Sequence, residues 1–293
     1  MMKQPLLTTP SDVSLAEPLR RTLANGVEIH TLPATEFEVV RFTFVFRAGS
    51  AQQRKAFVAT SAANLLSEGT RDMTSQQIAE QLDFYGSYFD VNVDRDYVYF
   101  SFCSLSKYFR QTLAVAEQIL LHPAFPEEEV ISYREKRKQR LRIERMKVET
   151  EAREAFARAL FGAEHPYGIS SSEEAYDDLT RDDLIDFYDR HYTARNCFVV
   201  CSGAADAAVV DAVAEVAGQL PDGIDNAEQP FPPAVTTPYA AVPHPGAVQS
   251  SIRIGRLLFP RNHPDYVGMQ VVAMLLGGYF GSRLMQNLRE EHG

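Results

Sequence analysis

Side chains able to bind a metal or attack a carbonyl are few in this sequence and widely spaced. Its seven histidines are His30, His122, His165, His191, His244, His263 and His292. A zinc peptidase needs imidazoles about one helical turn apart, with a carboxylate nearby to serve as base. No two histidines are closer than His244 and His263, so no helical ligand pair exists and scattered surface or packed histidines are expected. No Gly-x-Ser-x-Gly turn presents a nucleophilic serine, although a triad drawn from distant positions stays open. Gly277-Gly278 and Gly281-Ser282 match a phosphate loop only loosely, because no lysine precedes the serine, and no nucleotide site is expected. Cys103, Cys197 and Cys201 cannot all pair with one another and have no zinc-ribbon spacing. They read as buried free thiols of a reducing compartment.

Composition narrows the function classes. With 293 residues, 45% apolar and 11% aromatic, the chain can build a real core and holds up to two domains. Its net charge is −10, and the densest basic run, residues 134–147, is interleaved with Glu135 and Glu144. That run reads as the solvated face of a helix, so no nucleic-acid partner is expected. Residues 1–19 contain Leu6 and Leu7 but no continuous apolar stretch of a signal peptide. No segment approaches the 18 or so apolar residues of a membrane span. The chain as it stands is placed in the cytoplasm, the alternative being a secreted chain whose signal peptide has been removed.

The elements that would position these side chains follow from periodicity. Residues 19–32 read as two short strands around the tight turn at Asn25-Gly26. Residues 39–48 are β-branched and aromatic and should form a strand. Residues 57–66 are small and apolar without a breaker, hence a buried helix. Thr74 caps a helix reaching about Tyr85, which Gly86 stops. Residues 87–92 and 97–105 form a strand pair, and 107–121 a helix ended by His122-Pro123. Residues 127–161 are a long, highly charged helix with room for one break. A helix over 180–192, a central strand over 196–202 and a helix over 205–220 follow. Strands interrupted by helices, with hairpin-like neighbours, imply an α+β fold rather than a doubly wound parallel sheet.

Residues 1–220 are therefore read as one domain. Residues 221–247 are a linker, with seven prolines between Pro221 and Pro245. Beyond it the pattern restarts: 39–66 lines up with 249–276 at an offset of 210, setting Phe57 on Val267, Ala62 on Val272 and Leu66 on Leu276. This implies a duplicated domain whose second copy, 248–293, is only begun, so the chain looks truncated.

The stretch Leu275-Leu276-Gly277-Gly278-Tyr279-Phe280-Gly281-Ser282-Arg283-Leu284-Met285-Gln286-Asn287-Leu288-Arg289-Glu290-Glu291-His292-Gly293 closely resembles a C-terminal motif of the pitrilysin-like (M16, inverzincin) zinc peptidases. Glu164-His165-Pro166-Tyr167-Gly168 looks like the same family's Gly-x-His-Pro-hydrophobic-Gly turn, and Asn25-Gly26 suits its opening hairpin. The resemblance implies a mitochondrial processing peptidase-like domain, a sheet covered by helices, followed by the start of a homologous second one. In that family a buried helix carries His-x-x-Glu-His. Anchored on Gly69-Thr70, the resemblance puts Thr60, Ala63 and Asn64 at those three places, and Arg140 or Leu141 at a later Glu ligand. Neutral oxygens are poor zinc ligands, and alanine accepts no proton.

The family's C-terminal Arg and Tyr act on the substrate; Arg289 matches the Arg, while the Tyr would fall at position 296. In several members one subunit carries zinc and another carries Arg and Tyr. The resemblance thus implies an inactive subunit without metal or cofactor of its own. It would pair with an HxxEH-bearing homologue holding zinc, and bind extended peptides through Arg289. The alternative is a scaffold with no part in proteolysis.

Overall fold

A computed structural model describes residues 15–34, 36–169, 172–228 and 231–292. The hairpin is β1 (Leu19–Thr22) and β2 (Glu28–Pro33), paired antiparallel. Gly26 turns it at φ +88°, a region that side chains other than glycine enter at a cost. The remaining strands are β3 (Val39–Phe46), β4 (Tyr88–Val93), β5 (Val98–Leu105) and β6 (Cys197–Gly203). Together they form one six-stranded sheet in the order β1-β2-β6-β3-β5-β4. As its apolar run suggests, β6 is central, parallel to β2 and antiparallel to β3. The α+β class holds, since every pairing except β2 with β6 is antiparallel.

Alternation decides the faces. Val40, Phe42, Phe44 and Phe46 of β3 are all buried, as are Phe100 and Phe102 of β5 and Val199 and Cys201 of β6. Phe42 stacks on Phe102 at 5.2 Å between centroids and meets the edge of Phe109 at 5.6 Å. The intervening side chains Arg41, Asp90 and Asn92 stay exposed on the opposite face.

Helices α1 (Val58–Leu65), α2 (Ser75–Phe84) and α3 (Phe109–Leu121) pack against the strands. Thr74 and Gln77 exchange the two hydrogen bonds of a capping box at the start of α2, and Gly86 lies at φ +60° just beyond its end. The long charged helix is indeed broken once, into α4 (Glu127–Arg145) and α5 (Val148–Phe161), at Met146-Lys147. α4 opens with Glu127, Glu128 and Glu129 and closes with Arg142 and Arg145, complementing its dipole at both ends. After the short α6 (Glu174–Asp177) come α7 (Arg181–His191), capped by Thr180 and Asp183, and α8 (Ala207–Gly218). α7 and α4 both pack on α1, which is why that helix is buried on most sides.

The thiols fall partly outside expectation. Cys197 and Cys201 are buried, and burial pushes the Cys201 pKa up to about 12, so both are unreactive. Cys103 is only half-buried, because it lies on the open side of β5.

By its contacts the chain divides between Ser251 and Ile252. The Pro-rich segment goes with the first unit as a strap along α5. Val235 N donates to the Phe161 carbonyl at 3.1 Å, and Thr237 N to that of Ala159 at 2.6 Å. Those carbonyls lie in the last turn of α5, where no intrahelical donor exists for them.

The second unit holds α9 (Tyr266–Ala273), continued by a wider π-type turn over Met274–Gly278, and α10 (Arg283–Met285), continued likewise over Gln286–Glu291. The strand expected from residue 249 is not formed among the described residues. A strand exists only within a ladder; β3 has β5 and β6 beside it, whereas 252–260 has no pairing partner there. α9 falls where the offset of 210 expects a helix, but Val267, Val271 and Val272 are exposed instead of buried.

Candidate functional site

Helix α1 brings Thr60 and Asn64 to one face at i and i+4, with both side chains half-buried, while Ala63 turns into the core. The Asn64 amide donates at 2.7 Å to the Thr60 carbonyl, a bond made along its own helix. Next to them is Tyr133 of α4, whose hydroxyl is buried beside Ser61 and Asn64. Burial raises the phenol's pKa, against smaller downward pulls from Arg137 and those two neighbours. One turn on, the Arg137 guanidinium lies 5.7 Å from the centre of the Tyr133 ring. It also reaches the hydroxyl of Tyr176, whose ring stacks on Phe57 at 3.9 Å.

The two positions read from sequence as standing for a later ligand go elsewhere. Arg140 is exposed and ion-paired with Glu144 at 2.9 Å, and Leu141 is in the core. Helical phase explains this: Tyr133 and Arg137, at i and i+4, are the α4 residues whose polar atoms join the cluster facing α1.

These residues do not fit zinc. Thr60 and Asn64 supply only neutral oxygens, Ala63 supplies nothing, and Arg137 brings a fixed positive charge that repels a dication. Among the described residues no three His, Cys, Asp or Glu side chains gather as a metal cluster.

The turn at His165 is built for packing. His165 Nδ1 accepts the Tyr167 N–H at 3.1 Å, and its ring lies 5.0 Å from Phe161 and 5.7 Å from Phe231 of the strap. The Tyr167 hydroxyl donates to Asp96 in the β4–β5 turn, and Arg95 lies 5.0 Å above the Tyr167 ring. The motif therefore fastens α5, the β4–β5 turn and the strap together. Gly168 completes it by close approach, since a Cβ there would sit 1.9 Å from the Gly162 carbonyl oxygen. Gly168→Ala should lower unfolding free energy by about 2 kcal/mol through this backbone clash, as read by urea denaturation.

In the second unit Arg289 lies in the π-type segment Gln286–Glu291 and is exposed. Its guanidinium carbon is 5.6 Å from the centre of the Phe280 ring. Sequence reasoning singled out Thr60, Ala63, Asn64 and Arg289 but missed Tyr133, Arg137 and Tyr176. The last of these is brought in by α6, so no local spacing could have announced it.

Comparison with known proteins gives this arrangement a family. A model of the insulinase family of M16 peptidases matches residues 34–165, and one of the peptidase M16 inactive domain matches residues 178–293. The latter stretch is thus of the M16 inactive-domain type. An uncharacterized zinc protease of Rickettsia bellii is 23% identical over 281 residues, covering 92% of this chain and 66% of the relative. This chain therefore spans just under two thirds of that relative's length. Among solved structures, a peptidase M16 inactive domain from Pseudomonas fluorescens superposes with a TM-score of 0.77 at 23% identity, covering 94% of this chain and 68% of that one. A protease from Helicobacter pylori gives 0.77 at 17% identity, covering 95% and 69%. Two models of one family, matched in order along most of the sequence and on the same fold, show that the chain belongs to the M16 peptidase family.

Proposed function

We propose that this chain is a non-catalytic M16 subunit that closes a peptide-sized chamber and positions extended peptides for an HxxEH-bearing homologous partner. The observation that carries this reading is the α1–α4 cluster. Thr60, Ala63 and Asn64 stand where the resemblance puts metal ligands and base, and Arg137 supplies a cation beside them. The zinc and the general base come from the partner, Arg289 comes from this chain, and no cofactor is held here. The setting is cytoplasmic.

Neither a nucleic acid nor a membrane is a partner in this reading. Four of the eight basic side chains in the run 134–147 are ion-paired, as Lys138–Asp177, Arg140–Glu144, Arg142–Glu173 and Arg145–Glu154. No helix among the described residues is long and apolar enough to cross a bilayer.

Elemental analysis of the purified chain should find zinc far below stoichiometry after dialysis. About one tightly held zinc per chain would overturn the reading, because such affinity requires deprotonated imidazole, thiolate or carboxylate donors. The second reading, a scaffold, is favoured by the exposed resting place of Arg289 on Phe280.

A further inference from the structure

The geometry points to a new use of the α1–α4 cluster: we propose that Arg137, with Ser61, Asn64 and Tyr133, forms a subsite for a single carboxylate carried by a bound peptide. The inference rests on the reading of the chain as a peptide-binding subunit, and it names the group that the displaced metal position receives.

Hydrogen-bond accounting comes first. Ser61 is fully buried, and neither its hydroxyl nor that of Tyr133 beside it makes a hydrogen bond of good geometry among the described residues, although Ser61 and Asn64 lie close enough to act on the phenol. Buried hydroxyls are ordinarily paired, and leaving one unmade costs more than the bond itself returns. Two such groups beside each other, neither held in good bonding geometry, are placed to donate to one shared acceptor.

Charge sets what that body is. Arg137 forms no ion pair with any described carboxylate, and its neighbours are the phenols of Tyr133 and Tyr176. Glu144, two turns further along α4, acts on it only at a distance and is itself paired with Arg140. A guanidinium has five donors and no acceptor, and its planar fork matches the two oxygens of a carboxylate. The cluster thus inverts the logic of a metal centre: the positive charge belongs to the protein, so the ligand must bring the negative one. One cation without a second lysine or arginine in the cluster suits a carboxylate better than a phosphate.

Access completes the case. Thr60, Asn64, Tyr133 and Arg137 are half-buried, and Ser61 and Tyr176 are buried. The half-buried Arg137 guanidinium is therefore reachable from solvent while the hydroxyl of Ser61 is not.

The test uses the full chain and three fluorescein-labelled decapeptides of alanine, serine and leucine. One has a free C-terminus, one is the C-terminal amide, and one is the amide with a single internal glutamate. Fluorescence anisotropy should show at least one carboxylate form binding about ten- to a hundredfold tighter than the neutral amide. Which form it is separates a chain terminus from an acidic side chain. Arg137→Gln should abolish the preference, Arg137→Lys should restore only part of it, and Tyr133→Phe should weaken it severalfold. Thermal unfolding confirms that each variant is folded, and the wild-type comparison of the three peptides stands even where a variant is not. Equal binding of all three peptides, or a preference that survives Arg137→Gln, overturns the subsite while leaving peptide binding intact. Binding of none overturns both.

Discussion

Arg289→Ala should slow peptide turnover by the proposed subunit pair about a hundred- to a thousandfold, the usual effect of removing one donor from a carbonyl that gains negative charge. On the proposed function, the full chain mixed with an HxxEH-bearing homologue should cleave peptides, while neither does so alone. Arg289 is exposed and lies against the ring of Phe280, so its removal leaves no buried charge behind and should not disturb the fold. Zinc content and subunit association should therefore stay as they are, which separates a lost catalytic donor from a lost interface. Arg289→Lys should recover little, because a point charge on a flexible stem does not reproduce the guanidinium fork. If Arg289→Ala leaves turnover of the mixture unchanged, the residue is an ordinary surface arginine and the scaffold takes precedence.

The second large effect lies in the core. Phe42→Ala should lower the unfolding free energy by about 3–5 kcal/mol, measured as a shift in the urea midpoint at unchanged slope. Phe42 is fully buried in β3, whose partners β5 and β6 lie on either side. It stacks on Phe102 at 5.2 Å, and the edges of Phe44 and Phe109 lie at 6.5 and 5.6 Å. Deleting the ring removes apolar burial and three aromatic contacts from a place where two flanking strands prevent collapse. Phe42→Leu should lose much less, since it retains most of the volume. A loss under about 1 kcal/mol for Phe42→Ala would mean that the core relaxes freely around it.

How far the sequence foretold these residues depends on whether the cause is local. The Asn25-Gly26 turn, the Thr74 cap and the alternation of Val40, Phe42, Phe44 and Phe46 are local, and each appears as read. The break between α4 and α5 was legible as a place where a charged helix could stop, though not its exit at Met146-Lys147. Residues 249–259 have the composition of a strand, yet a strand needs a neighbour and composition does not say whether one is there. The cluster behind Thr60 and Asn64 was half legible. Those two residues and Ala63 were marked by resemblance to His-x-x-Glu-His, whereas Tyr133 and Arg137 depend on how α4 is rotated against α1. Tyr176 arrives from a segment some forty residues away.

The placing of β6 bears on the order of synthesis. β2 and β3 are adjacent in sequence but not in the sheet, where β6 lies between them. When β3, β4 and β5 have been made they can pair among themselves, and β1 with β2 forms a separate ribbon; nothing yet joins the two. The joining strand, Cys197–Gly203, comes more than 150 residues after Pro33 and must enter between edges that have waited for it. Closing so long a loop is entropically slow. While the ribosome works through α3 to α7, the nascent chain therefore exposes two unpaired strand edges, and in that interval its exposure to aggregation is greatest.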